Sequence, residues 1–239
     1  MNGSETADTI VVIPAFNEEE TLPSVLAQLR DVTPELAVVV VDDGSADGTT
    51  AAARAAGVAC VSLPFNLGIG GALRAGYRYA VDEGYARAVQ FDADGQHRAD
   101  QIALLLDELD AGADMVIGNR FAAGDYEVGW SRSVAMAFLR FGVRLLCHRR
   151  FEDTSSGFRA VRRPLLEVFA RDYPVEYMDS VETLVEACRD GFDVREVPAR
   201  MEERAGGAPS QRRLRLAYHY ARLLVVLLGS ARRARPEAR

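Results

Sequence analysis

Apolar residues fall along this chain in short blocks, and the first three blocks are nearly unbroken. Residues 9–13 (Thr-Ile-Val-Val-Ile) form a β-branched run that stops at Pro14, and residues 36–41 (Leu-Ala-Val-Val-Val-Val) form a second that stops at Asp42-Asp43. Runs apolar on both faces predict strands buried inside a parallel sheet. A third strand is expected at residues 59–63 and a fourth at 89–94, ending in Asp92-Ala93-Asp94. Between them the period lengthens to that of helices. One is expected to open on the acidic turn Glu18-Glu19-Glu20 and run to about Arg30. A second, of small residues, runs from Asp47-Gly48-Thr49 to about Ala56, and a third from Ala72 to about Glu83. Strand–helix alternation with short loops predicts right-handed βαβ units, in which ligands sit at the carboxyl ends of the strands. The unusual residues of the chain lie at those ends.

The second half continues the pattern less evenly. Residues 114–118 read as a strand. Residues 131–150 place Val134, Ala137, Phe138, Phe141 and Leu145 among five arginines, an amphipathic helix. A helix is expected around residues 178–184, a last strand at Glu196-Val197-Pro198, and a mobile loop at residues 200–210, marked by Gly206-Gly207. Residues 212–228 alternate apolar and arginine positions, which suits either a helix docked on the domain or one lying on an anionic bilayer surface. The domains expected are a flexible start at 1–8, one α/β domain at 9–211, the amphipathic helix at 212–230 and a basic tail at 231–239.

Composition narrows the partners. With 239 residues, 49% of them hydrophobic, and a net charge of −7, the chain has the make-up of a globular domain and not of a general nucleic-acid binder. Cys60, Cys147 and Cys188 are scattered without a CxxC pair, which fits a reduced, cytoplasmic protein without structural zinc. The polar first nine residues lack a signal pattern, so export is not expected, and no apolar run approaches a membrane span.

Candidate chemistry starts at Asp92-Ala93-Asp94-Gly95-Gln96-His97. Residues i and i+2 of a strand share a face, so the two carboxylates are expected close together. Like charges held that close are costly unless a cation joins them, and a hard divalent ion with oxygen ligands does so. An acidic loop after a strand is the plainer reading of the same three residues. Gly68-Ile69-Gly70-Gly71 is glycine-rich but is not GxGxxG, follows the third strand, and serves equally for close helix–strand packing. A nicotinamide dehydrogenase is therefore disfavoured, and no Walker A pattern is present.

Taken in order, Pro14-Ala15-Phe16-Asn17-Glu18, Val41-Asp42-Asp43-Gly44-Ser45, Asp47-Gly48-Thr49, Asn66-Leu67-Gly68 with Gly71, and Asp92-Ala93-Asp94-Gly95-Gln96-His97 resemble the family 2 glycosyltransferases of GT-A fold. Gly118-Asn119-Arg120, Asp153-Thr154-Ser155-Ser156-Gly157-Phe158-Arg159 and Glu196-Val197-Pro198 are similar to the dolichyl-phosphate mannose/glucose synthase-like branch. The resemblance spans residues 10–211. It implies a Rossmann-like, mostly parallel central sheet flanked by helices, and an inverting transfer of mannose or glucose from GDP-mannose or UDP-glucose to polyprenyl phosphate. Pro14, Phe16 and Glu18 would line the base and ribose pocket, with Asp42 or Asp43 accepting hydrogen bonds from the base and Gly71 on the donor side. Asp92 and Asp94, helped by Gln96, would hold Mg²⁺ or Mn²⁺ against the diphosphate, where Arg120 adds positive charge. Arg132 would hold an acceptor phosphate, and Arg204 would close over the phosphates. Asp153 would orient sugar hydroxyls, act as a base, or only cap its turn.

A base is the open point. Relatives with hydroxyl acceptors carry an acid where this chain has Ser180, flanked by Asp179 and Glu182. An anionic phosphate acceptor needs no base and a hydroxyl does, so the departure favours a lipid phosphate, with Asp179 the base otherwise. The expected setting is the inner face of the plasma membrane, in cell-envelope assembly, with a membrane-protein partner or a second copy. Transfer to a soluble or polysaccharide hydroxyl is the alternative. A sensor that binds sugar nucleotides without catalysis and a nucleotidyltransferase are further rivals. The latter normally has a glycine-rich basic loop after the first strand, and Pro14-Ala15-Phe16-Asn17 is not one.

Overall fold

A computed structural model describes residues 8–122, 130–174 and 179–202. Seven strands form one sheet in the order β3-β2-β1-β4-β6-β5-β7. The strands are β1 (Thr9–Ala15), β2 (Ala37–Asp42), β3 (Ala59–Ser62), β4 (Arg87–Gln90), β5 (Met115–Asn119), β6 (Arg159–Arg162) and β7 (Val194–Pro198). All pairings are parallel except those of β6, which runs antiparallel to both β4 and β5. The helices are α1 (Leu22–Val32), α2 (Thr49–Ala55), α3 (Ile69–Asp82), α4 (Ile102–Asp110), α5 (Trp130–Cys147), α6 (Arg163–Asp172) and α7 (Asp179–Arg189).

Strand alternation divides the core into two layers. Ile10 and Val12 of β1, with Val39 and Val41 of β2, face α3, α5, α6 and α7. Val11, Ile13 and Val40 face α1, α2 and α4. Both faces of the sheet are covered, which is why β1 and β2 read as continuous apolar runs.

Local differences from the sequence reading have physical causes. The acids at 18–20 precede α1 instead of opening it. Pro23 lacks an N–H and belongs in a first helical turn, where α1 has it, and the Glu18 carbonyl accepts the N–H of Leu22. Helix α3 starts at Ile69, three residues before the expected Ala72, with Gly68 before it at φ 83°. Strand β4 stops at Gln90, so Asp92 and Asp94 lie in the turn beyond it and not on the strand. Strand β6 and helix α6 were not foreseen. The loop expected at 200–210 and the amphipathic segment 212–230 lie largely or wholly outside the described residues.

Helix α3 packs tightly because of one glycine. A Cβ on Gly76 would come within 2.3 Å of Val12 Cγ1 and 3.1 Å of Val41 Cγ2. Gly76→Ala gains about 1 kcal/mol of helix propensity, but overpacking against two strands costs about 1–3 kcal/mol. The expected outcome is a lower urea midpoint with an unchanged denaturant slope.

Candidate active site

The reversed direction of β6 assembles the site. Gln90, the last residue of β4, pairs with Arg159, the first residue of β6, and the Gly118 N–H donates to the Phe158 carbonyl at 2.8 Å. Residues just before β6 therefore meet the loops just after β4 and β5. Asp153–Gly157, Asp92–His97 and Asn119–Arg120, distant in sequence, converge on one sheet edge.

His97 is the hub of that edge. The Asp92 N–H donates to its Nδ1 at 2.9 Å, so the proton of the neutral ring sits on Nε2, which faces Asp92 Oδ2 at 3.6 Å. Phe91 and Phe158 pack on the imidazole with ring centroids 5.3 and 5.0 Å away. Burial pushes His97 below the usual histidine range, against the carboxylates of Asp92, Asp94 and Asp153 that pull it upward, while Arg120 adds to the lowering. The ring is a neutral hydrogen-bonding brace. Sequence reading gave it no role, although its place in Asp-X-Asp-Gly-Gln-His was the available signal.

Asp94 is buried and Oδ1 accepts the Gln96 N–H at 3.0 Å, while the Asp92 side chain is 28% exposed. Gln90 Nε2 approaches Asp92 Oδ1 at 3.4 Å, and Gln90 Oε1 is buried without a hydrogen-bond partner. A Cβ on Gly157 would stand 2.9 Å from Asp92 Oδ2, so this glycine keeps one side of the carboxylate open. Among the described residues no group of three or more His, Cys, Asp or Glu side chains is placed to enclose a metal. Two carboxylates and an amide fit a magnesium-type ion, which takes few protein ligands and completes its shell with water and phosphate oxygens.

Arg120 and Asp153 form a two-toothed ion pair. Nε donates to Asp153 Oδ2 at 2.7 Å and Nη2 to Oδ1 at 3.0 Å, with Nη2 also donating to Ser155 Oγ. The Asp153 side chain is 0% exposed. Its Oδ1 also accepts the Ser155 N–H at 3.3 Å, which is the turn cap. The formal charges of Asp92, Asp94 and Asp153 against Arg120 leave two negative charges around a neutral imidazole.

On the other side of β1 three loops are stitched together. Asp42 Oδ1 accepts the Ser45 N–H at 2.9 Å and its Oδ2 accepts the Thr50 hydroxyl. Asp43 accepts the N–H groups of Leu67 and Gly68 at 2.7 and 2.9 Å. Burial raises Asp43 above the usual carboxylate range despite those two donors. Glu18 accepts from the Thr21 hydroxyl at 2.6 Å, and its N–H donates to Thr49 Oγ1. Pro14 pairs with Val41 in the sheet, Phe16 is exposed beside this seam, and Gly71 carries no Cβ because Leu67 Cβ would lie 2.4 Å away. Each carboxylate oxygen of Asp42 and Asp43 already receives one internal donor, and each retains a second lone pair for a ligand.

Arg132 and Asp179 lie near the starts of α5 and α7, but their side chains, like all of Arg204, are outside the described residues.

Several known proteins are similar to this chain. The family pattern described as glycosyl transferase family 2 matches residues 10–169. The polyprenol monophosphomannose synthase of Mycolicibacterium smegmatis is 35% identical over 213 residues, covering 84% of this chain and 80% of that protein. The undecaprenyl-phosphate mannosyltransferase of Micrococcus luteus is 36% identical over 208 residues, covering 83% and 85%. Glucosyl-3-phosphoglycerate synthase from Mycobacterium tuberculosis, solved with Mn²⁺, uridine diphosphate and phosphoglyceric acid, shares the fold with a TM-score of 0.70 at 22% identity, over 98% of this chain and 82% of that one.

The brace predicts its own loss. His97→Phe keeps the ring packing but leaves the Asp92 N–H without its acceptor, so stability should fall by about 1–3 kcal/mol. His97→Asn, whose Oδ1 can stand near the place of Nδ1, should recover part of that hydrogen bond. Chemical denaturation of both variants measures it.

Proposed function

The chain belongs to glycosyl transferase family 2, and on that premise we propose that it moves a hexose, mannose or glucose, from a nucleoside diphosphate sugar to polyprenyl phosphate with inversion at the anomeric carbon. One observation carries the reading most: three carboxylates and one guanidinium converge around a neutral imidazole at the sheet edge where ligands of such folds bind. Their surplus of two negative charges matches a divalent cation and is a poor place for an unaccompanied diphosphate.

Asp92 and Asp94, with Gln96, would hold Mg²⁺ or Mn²⁺. Bound there, such an ion offsets the charge that builds on a departing nucleoside diphosphate. The rest falls to the chain's own groups. Pro14, Phe16 and Glu18 border the base and ribose, and the remaining lone pairs of Asp42 and Asp43 accept from the base. Arg120, held side-on by Asp153, offers directed N–H donors where its net charge is already compensated. Positive charge for the acceptor phosphate then comes from Arg132 and Arg204. A phosphate oxygen attacks the anomeric carbon while the bond to the diphosphate oxygen breaks, and the electron pair leaves with the nucleotide. No base is needed for an anionic oxygen, whereas a hydroxyl acceptor would call on Asp179.

The lipid acceptor rests on the relatives' names and on Ser180 in place of the base. Such an acceptor places the reaction at a membrane surface, on the cytoplasmic side where nucleotide sugars are made. Among the described residues no helix is long and apolar enough to cross a membrane. The apolar and arginine pattern of residues 212–228 makes that segment the candidate contact.

Two outcomes test the proposal. Asp94→Ala should lose at least about 10²-fold in turnover, on the scale of other preorganised charge-stabilising groups, while its thermal melt stays cooperative. A panel of nucleotide sugars with Mg²⁺ or Mn²⁺ should release nucleoside diphosphate faster when short polyprenyl phosphate is added, and chelation should stop it. Stimulation by a soluble sugar alone would replace the lipid acceptor with a hydroxyl.

A further inference from the structure

Glu196 has no part in the chemistry above, yet it lies at the root of the Arg120–Asp153 pair. It stands in β7 beside Ile117 of β5, in parallel register, so its strand flanks the one that ends in Asn119. Oε1 accepts the Asp153 N–H at 2.7 Å and the Glu152 N–H at 3.0 Å, and Oε2 accepts the Glu152 N–H at 2.9 Å. One carboxylate thus straddles two consecutive amides of the segment between α5 and β6.

The same two residues carry further ties. Arg140 Nε donates to the Glu152 carbonyl at 2.7 Å, and Asn119 Nδ2 donates to Glu152 Oε2 at 3.1 Å. Asp153, the next residue, holds Arg120. Keeping a third carboxylate here is costly. Burial pushes Glu196 above the usual range, and the charges of Asp153 and Glu152 push the same way, against the two amides that favour its ionised form. A merely structural strand position would be better filled by an apolar residue, since desolvated like charges oppose folding.

We infer that Glu196 is a positioning residue for transfer: by fixing the backbone at Glu152 and Asp153 it makes Asp153 present both oxygens to Arg120, and so sets the guanidinium against the reacting phosphates. The kinetic consequence rests on the glycosyl-transfer reading, but the geometric one does not.

The full-length chain is compared as wild type, Glu196→Gln, Glu196→Ala, Asp153→Asn and the double variants with Asp153→Asn. Glu196→Gln keeps one acceptor oxygen and turns an amide donor towards the backbone N–H groups, whereas Glu196→Ala removes both acceptors. Misplaced positioning groups cost up to about 10²-fold in rate, so kcat should fall about tenfold in the first and further in the second. Calorimetric affinity for Mn²⁺ with the nucleotide should change by less than about threefold, because the Asp92 and Asp94 loop is untouched. Residues acting through one network do not add, so Glu196→Ala in the Asp153→Asn background should cost no more than about twofold. In parallel, the ¹⁵N Nε–H resonance of Arg120, identified by its loss in Arg120→Lys, should shift and exchange faster with solvent in the Glu196 variants. Additive losses, a defect confined to nucleotide affinity, or an unchanged Arg120 resonance would overturn the inference. If Glu196→Ala does not fold, Glu196→Gln gives the same readouts. If the wild type transfers no sugar from any donor, the functional reading fails, and the Arg120 resonance still decides the role of Glu196.

Discussion

Asp153 has no contact with solvent, and its side chain is tolerable there because Arg120 meets it with two N–H donors. Removing one partner of such a buried pair typically costs about 3–5 kcal/mol, since the other is left uncompensated. The pair also does something that an apolar contact of equal size would not. It joins the loop after β5 to the loop before β6 with a fixed angle between the guanidinium and the carboxylate planes. The glycines around it serve the same closeness: a Cβ at Gly118 would strike Phe158, and one at Gly157 would strike Asp92. Ionic geometry and absent side chains together bring three loops into close contact at one sheet edge.

The electrostatics of that edge divide into two kinds of acid. Asp42, Asp43, Asp153 and Glu196 receive internal donors: Asp42 ties the turn after β2 to α2, while Asp43, Asp153 and Glu196 each hold a segment distant in sequence. Asp92 keeps one side open, with His97 and Gln90 steadying the other. A neutral imidazole suits this task. Its Nδ1 accepts the Asp92 N–H, its Nε2 faces the Asp92 carboxylate, and it adds no charge beside that carboxylate.

Much of this was legible in the residues themselves. Residues 9–13 and 36–41 announced buried parallel strands because both faces of the sheet are covered. The ordered set of acids and glycines pointed to a glycosyl transferase family 2 chain, and the family match over residues 10–169 bears that out. What failed did so for local reasons. Arg-Ala-Val-Arg is too short and too charged to read as a strand, yet Arg159 is buried and satisfied by the Ser156 carbonyl and the Thr183 hydroxyl. Without β6 the reversal of direction is invisible, and with it the reason that Asp153 and Asp92 share a site. Strand alternation was also the wrong ground for pairing Asp92 with Asp94, since the chain leaves β4 at Gln90 and turns through Gly95 at φ 77°. Donors such as the Leu67 and Gly68 amides, which occupy Asp43, are not predictable from composition or spacing.

The place of β6 in the sheet bears on how the polypeptide is made. Strand β4 leaves the ribosome with β1 to pair on one edge, but its other edge must wait for β6. At about 5–20 residues per second, the roughly 70 residues between them take several seconds to emerge. Through that interval the free edge of β4 has no strand beside it, and unpaired edges of that kind recruit stray strands. Arg87 at one end of that edge and Asp92 and Asp94 just past the other give it charged flanks, which oppose such pairing.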